Sequence, residues 1–204
     1  MKKWLSALLG VMIAFPVFAQ EEETLLTGEI THGGFGGPVV KFTRLDGEFG
    51  LLIGGRGGWI INHSFVIGGG GYGLVNSIPG PEGIPLMAEP LLTVGYGGFE
   101  MEYVHHSGKL VHSALSLLIG GGGAGYHEKI QEDWNFGNDM ENNPTWDSFF
   151  VAEPGIAVEL NITSFFRVGA GGSYRFVSGI EKNGLTNEDI GGPSAVLTFK
   201  FGKF

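Results

Sequence analysis

The chain has 204 residues, of which 38 are glycine, and only 16% of its residues are charged. It contains no cysteine, which excludes disulfides, thiolate metal sites and cysteine nucleophiles. The net charge of −9 argues against a nucleic-acid partner, because nucleic acids bind clustered lysine and arginine. With 43% hydrophobic and 12% aromatic residues the chain is too apolar to be disordered, and its length suits one domain.

Residues 1–19 have the features of a secretory signal peptide. A pair of lysines precedes an apolar stretch. This stretch ends in Val17 and Ala19, which are of modest and small size and occupy the two positions that signal peptidase recognises. We expect cleavage after Ala19, which leaves residues 20–204 as the mature domain. Beyond this segment there is no run of eighteen apolar residues, so the sequence predicts no helical membrane span.

The mature sequence is typical of a β-protein, because its residues alternate in character over long segments that are bounded by turn-forming residues. Eight strands are predicted, at 33–44, 49–61, 65–77, 91–104, 111–125, 149–161, 165–178 and 193–204. No segment has a capped helical periodicity, so no helix is predicted.

The connections between these strands alternate in length. The second, fourth and sixth are short, whereas the third, fifth and seventh are long, and the first is short where the alternation would make it long. Short turns at one end and longer loops at the other are typical of outer-membrane barrels. The predicted fold class is therefore all-β: an eight-stranded antiparallel transmembrane up-and-down β-barrel, preceded by a cleaved signal peptide. A soluble eight-stranded barrel of the lipocalin type is the alternative fold.

Within the predicted strands, charged residues share one face and large apolar residues share the other. If the apolar face meets lipid, the charges line the lumen, where they are expected to form a network of ion pairs. The predicted lumen network is Lys41, Arg56, Glu100, Glu102, Glu153, Glu159, Arg167, Arg175 and Lys200. Aromatic residues near the strand ends suggest two interfacial girdles. One would contain Trp59, Phe65, Tyr103, Phe165, Phe166, Phe199 and Phe201, and the other Phe49, Tyr72, Phe149, Tyr174 and Phe176.

The signal peptide, the eight strands and the carboxy-terminal FKFGKF resemble the small outer-membrane barrels of the OmpA/OmpX type. The glycine-rich segment 31–76 resembles one common in uncharacterised glycine-rich outer-membrane proteins of environmental bacteria. In the last strand Phe199 and Phe201 share a face, whereas Phe204 has the opposite parity. The resemblance implies location in the bacterial outer membrane, contact with its lipid and lipopolysaccharide, and insertion by the barrel-assembly machinery.

Motifs that would support chemistry are weak. The glycine runs are not followed by the Lys-Ser or Lys-Thr of a phosphate-binding loop. His105 and His106 with Glu100 and Glu102 are a conceivable metal cluster, but adjacent residues of a strand point to opposite faces. The same objection applies to a conceivable Ser113, His112 and Glu102 catalytic site, which also lacks a nucleophile-elbow motif. We therefore predict no catalytic, cofactor or metal site.

These observations favour a monomeric outer-membrane barrel that is not an enzyme. Charge pairs would close its lumen, and its external loops would serve an envelope-structural or surface-interaction role. The first alternative is a small pore or transporter of the OmpW type for small or hydrophobic solutes. The second alternative is a soluble ligand-binding barrel.

Overall fold

A computed structural model describes residues 30–81, 90–128, 146–181 and 184–204. Its eight strands pair antiparallel in chain order and close on themselves, which confirms the predicted barrel. The strands are β1 (His32–Leu45), β2 (Glu48–Ile61), β3 (Phe65–Leu74), β4 (Pro90–His105), β5 (Val111–Glu128), β6 (Asp147–Asn161), β7 (Phe166–Ser178) and β8 (Gly192–Lys203). Among the described residues, no helix is long and apolar enough to cross a membrane. The predicted signal peptide lies outside the described residues.

The barrel has two ends of different character. At one, which we call the turn end, the strands are joined by the short connections 62–64, 106–110 and 162–165. At the other, which we call the loop end, lie the longer connections and one helix, α1 (Asn187–Ile190). The prediction that no helix occurs is therefore wrong. With four residues α1 is too short to show helical periodicity, and a carboxylate oxygen of Asp189 fixes its first turn by accepting 2.8 Å and 2.7 Å bonds from the Thr186 N–H and hydroxyl.

The connection between β1 and β2, which the sequence predicts to be short, is a two-residue turn at Asp46 and Gly47. Both residues have positive φ, 49° and 78°, which the tight hairpin turn that matches the strand twist requires and which Asp-Gly adopts readily. The two strands stay in register from Leu45↔Glu48 to His32↔Ile61.

The third strand is shorter than predicted. It ends at Leu74 rather than at residue 77, because the chain turns inward and buries Ile78. Beyond it, Pro79 keeps an isolated bridge to Leu91 of β4. This connection therefore begins by covering the barrel mouth.

The barrel closes where β1 pairs with β8. The pairs run from Gly34↔Lys203 to Gly36↔Phe201 and continue in the same register from Val39↔Thr198. Pro38 lies in the interruption, since a proline has no N–H to give to a ladder. We refer to the β1–β8 contact as the seam.

The outer surface is a belt of exposed apolar side chains, as the predicted lipid face requires. Its larger members include Phe42, Phe49, Ile53, Trp59, Phe65, Ile67, Phe99, Met101, Tyr103, Leu115, Ile119, Phe150, Ile156, Val158, Phe176, Leu197 and Phe201. The girdle assignment of Tyr72 and Phe149 is wrong, because both are buried on the inner face. Strand alternation places Tyr72 on the same face as Val66, and this parity outweighs its position near the end of β3.

Candidate functional site in the barrel lumen

The lumen is filled by side chains in three layers. The layer at the loop end is apolar and contains residues from strands, from the connections and from α1, among them Leu45, Leu52, Ile78, Leu92, Val94, Tyr126, Phe149, Ile180, Leu185 and Ile190. The layer at the turn end is a smaller apolar cluster of Phe35, Ile60, Val66, Val104 and Ala114, against which Phe204 packs. Between them lies a charged layer. Ionic groups are therefore covered by apolar side chains on both sides.

One part of the charged layer is centred on Glu153 of β6. Its Oε1 atom lies 2.8 Å from Lys41 Nζ of β1, and both side chains are almost fully buried. The hydroxyl of Tyr96 donates a 2.6 Å bond to Oε2, and Ser173 donates a 2.5 Å bond to Oε1. Lys41 Nζ also lies 3.5 Å from the centroid of the Tyr72 ring. A buried carboxylate is thus compensated by a cation and two hydroxyl donors, as its desolvation requires.

A second part joins β2, β4, β6 and β8. Arg56 Nη2 lies 3.1 Å from Glu100 Oε1 and 2.8 Å from Glu102 Oε2. Lys200 Nζ lies 2.5 Å from Glu102 Oε1 and also pairs with Glu159 Oε1. The four strands are therefore linked across the bore by shared ions rather than by separate pairs.

The remaining two predicted network residues lie in the lumen without an ion pair among the described residues. Arg175 is completely buried and donates through Nε to the carbonyl of Ile190 at 2.7 Å. Its other nitrogens lie 3.3 Å from the Tyr96 hydroxyl and 3.4 Å from the Thr43 hydroxyl. Arg167 lies at the turn end, with its guanidinium carbon 3.9 Å from the centroid of the Phe204 ring. The structure thus brings all nine residues inside the barrel and pairs seven of them.

A cavity of about 40 Å³ remains within the charged layer. Lys41, Arg56, Glu100, Glu153 and Ser173 are among its lining residues. A space of this size accommodates a few water molecules. An eight-stranded barrel has room for little more than its own side chains, and here they occupy the bore.

Two further residues belong to this site although the sequence analysis did not assign them to it. Tyr96 links Glu153 to Arg175, and the ring of His112 is fully buried with Nε2 3.2 Å from Glu159 Oε2. The alternation of β5 would have found His112, which has the same parity as the buried Ala114 and Leu118.

The conceivable chemical sites are not assembled. His106 lies in a turn with φ 57°, so the strand argument does not apply to it, and its ring centroid is 3.8 Å from that of His105. Glu100 and Glu102, however, point into the lumen and bind Arg56. Across the described part of the chain, no group of three or more metal-ligating side chains occurs. Ser113 and His112 lie on opposite faces of β5, which keeps a serine nucleophile and its base apart.

Comparison with solved structures identifies the fold. Neisserial surface protein A matches with a TM-score of 0.56 and 12% sequence identity, covering 87% of this chain and 100% of that one. The N-terminal barrel domain of Pseudomonas aeruginosa OprF matches with a TM-score of 0.46, 14% identity and coverage of 84% and 96%. Ail, the attachment invasion locus protein of Yersinia pestis, matches with a TM-score of 0.46 and 15% sequence identity, covering 84% of this chain and 97% of that one. No family model matches the chain, and no curated protein is similar to it in sequence.

The closed barrel and its apolar belt define a class of protein. The chain has the eight-stranded fold of the small bacterial outer-membrane β-barrels, and Neisserial surface protein A shares that fold over its whole length. The resemblance to outer-membrane barrels that the sequence carries is thereby confirmed at the level of the fold.

Proposed function

We propose that this protein resides in the bacterial outer membrane as a closed barrel. It serves an envelope-structural or surface-interaction role through its loop end and provides neither a solute path nor a catalytic site. The observation that carries the proposal is the filling of the bore by three layers of side chains. A solute would have to displace two apolar clusters and a network of ion pairs to pass.

The partners that we propose follow from the two exposed surfaces. The apolar belt fits outer-membrane lipid and the acyl chains of lipopolysaccharide, because every strand presents large apolar side chains outward. The closed sheet has no free edge for pairing with another chain, which supports a monomer. The carboxy-terminal aromatic residues and the resemblance to outer-membrane barrels support insertion by the barrel-assembly machinery.

The loop end is the surface that we assign to interaction. Its described part is anchored: Ile78, Ile180, Leu185 and Ile190 are buried in the apolar layer, and the hydroxyl of Tyr126 donates to Asp46 at 3.1 Å. Neisserial surface protein A, which shares the fold, is by its name a surface protein. A loop surface fixed to a closed barrel is suited to recognition rather than to transport.

Two measurements test the proposal. Detergent-dependent extraction from outer-membrane fractions is expected, and recovery in the aqueous fraction would instead support a soluble barrel. In planar bilayers the purified protein is expected to give no stable conductance. Stable conductance that removal of Arg56 or Glu159 leaves unchanged would overturn the closed-lumen function in favour of a pore.

A further inference from the structure

The histidine at the turn end of β5 contacts a backbone carbonyl oxygen, which only accepts hydrogen bonds, and a carboxylate oxygen, which only accepts them while it is ionised. His112 Nδ1 lies 3.1 Å from the backbone carbonyl oxygen of Lys109, in the turn between β4 and β5. His112 Nε2 lies 3.2 Å from Glu159 Oε2 on the neighbouring strand β6. The imidazole ring is shielded from solvent, so water does not replace either contact.

A neutral imidazole cannot satisfy both contacts at once. It carries one N–H donor and one nitrogen lone pair, whereas the imidazolium carries two donors. A carbonyl oxygen and an ionised carboxylate each present lone pairs, and a nitrogen lone pair facing either of them is repelled. The other oxygen of Glu159 already accepts from Lys200. The geometry therefore requires one additional proton between His112 Nε2 and Glu159 Oε2.

We infer that His112 and Glu159 hold one exchangeable proton in the lumen wall and that this proton is a pH-sensitive tie between the charged layer and the β4–β5 turn. The inference rests on the geometry of the barrel and not on the proposed function. With its proton, His112 donates to both neighbours. Without it, the ring keeps a single donor, and one of the two contacts is lost.

Charged groups from several strands face the pair. Arg56 of β2, Glu102 of β4, Arg167 of β7 and Lys200 of β8 surround Glu159. The three cations disfavour a further positive charge on the ring, whereas the carboxylates of Glu102 and Glu159 favour it. The proton is consequently held by the hydrogen-bond geometry of the pair and not by an excess of negative charge around it.

Loss of the proton would affect the turn between β4 and β5, because His112 and Asn161 share a carbonyl acceptor in that turn. The side-chain amide of Asn161 donates to the carbonyls of Lys109 at 2.8 Å and Ser107 at 3.0 Å, and the N–H of Asn161 donates to the carbonyl of Leu110. His112 binds the same Lys109 carbonyl. A change in its donor pattern thus acts on the turn directly, at the end of the barrel that carries the short connections.

The test is nitrogen-15 NMR of the refolded full-length mature protein, labelled at histidine and on the backbone, in detergent micelles. At pH 5.5 both ring nitrogens of His112 are expected to be protonated, with the signal assigned through His112→Asn. As the pH rises, the Lys109 and Asn161 amide signals are expected to shift with the same midpoint as the ring. Exposed His63, on another turn, is the reference for a histidine without this coupling.

An isosteric variant separates this proton from general stability. In Glu159→Gln the amide oxygen still accepts from Lys200, and the amide nitrogen donates to His112 Nε2, so the extra proton is no longer needed. The folded variant is expected to show a neutral His112 at a pH where the wild type shows the imidazolium. A neutral single tautomer of His112 beside an ionised Glu159 in the wild type across pH 5–8, or an imidazolium that persists unchanged in Glu159→Gln, would overturn the inference.

Discussion

The Nε atom of Arg175 donates a 2.7 Å hydrogen bond to the backbone carbonyl of Ile190, the last residue of α1. Both residues are completely buried, so the bond forms beneath the loop surface rather than on it. On its other side α1 is held by Asp46, whose N–H donates a 2.8 Å bond to the carbonyl of Asp189. The short helix is therefore attached to the charged layer and to the β1–β2 turn.

The first prediction concerns this attachment. Replacing Arg175 by Leu removes a charge-assisted hydrogen bond, which contributes roughly 1.5–3 kcal/mol. We expect amide hydrogen exchange at Ile190 and Gly191 to accelerate about tenfold to a hundredfold, because about 1.4 kcal/mol corresponds to a factor of ten. Arg167→Leu, on the same strand but at the turn end, is the matched control. Equal acceleration in both variants would show that β7 as a whole, and not the Arg175 bond, stabilises α1.

The second prediction concerns the charged layer. Glu153→Ala leaves Lys41 buried without an ion partner among the described residues, and breaking a buried pair costs about 3–5 kcal/mol. We expect a smaller loss for Glu159→Ala, because Lys200 keeps its bond to Glu102, although His112 loses its carboxylate partner. Exposed Glu48→Ala is the control. The measurement is the free energy of unfolding by urea in detergent micelles. A loss for Glu153→Ala no larger than that for Glu48→Ala would refute a stabilising ionic layer.

Alternation along the strands is enough to predict which side chains enter the lumen. Successive side chains point to opposite faces of the sheet, so once the apolar face is assigned to the outside, every other residue points inward. Alternation does not predict which of these lumen residues form ion pairs with one another. Lys41 and Glu153 are separated by 112 positions, and their contact depends on how the staggered strands close. The sequence places Tyr72 in a girdle because it lies near the end of β3, whereas its parity directs it inward. Helix α1 is not predicted, because four residues are too few to show a helical period.

The third prediction concerns the lipid face. Ile156 of β6 is exposed on the outer belt, and an arginine near the middle of the membrane costs roughly 2–4 kcal/mol. Ile156→Arg is expected to reduce the folded fraction when the protein is refolded into lipid vesicles. Ser178→Arg, on the exposed end of β7, is the control, since the cost falls to about 0–1 kcal/mol near the interface. If both variants insert equally well, the belt does not face lipid.

The fourth prediction concerns glycines on the two faces of β4. A methyl group on inward Gly98 would collide with the carbonyl oxygen of Ile119 and lie 2.7 Å from Gly120 Cα, whereas on Gly95 its nearest neighbour would be 3.8 Å away. Gly98→Ala is expected to lower the free energy of unfolding by about 1–3 kcal/mol, as overpacking does. For Gly95→Ala we expect a change within about 0.5 kcal/mol. Urea unfolding in micelles distinguishes them, and equal values would contradict the close approach of β4 and β5.

The interrupted pairing at the seam has a consequence for assembly. Until β8 arrives, β1 is an open edge with unsatisfied N–H and C=O groups, and such edges recruit strands from other molecules. Pro38 removes one donor from that edge, at the point where the β1–β8 pairing is interrupted. The first strand therefore reaches the membrane less able to template an aggregate, while the remaining pairs from Gly34 to Thr43 suffice to join it to the last strand. Pro38 thus weakens the β1–β8 ladder of the closed barrel, but it lowers the tendency of the unpaired β1 edge to recruit strands from other molecules.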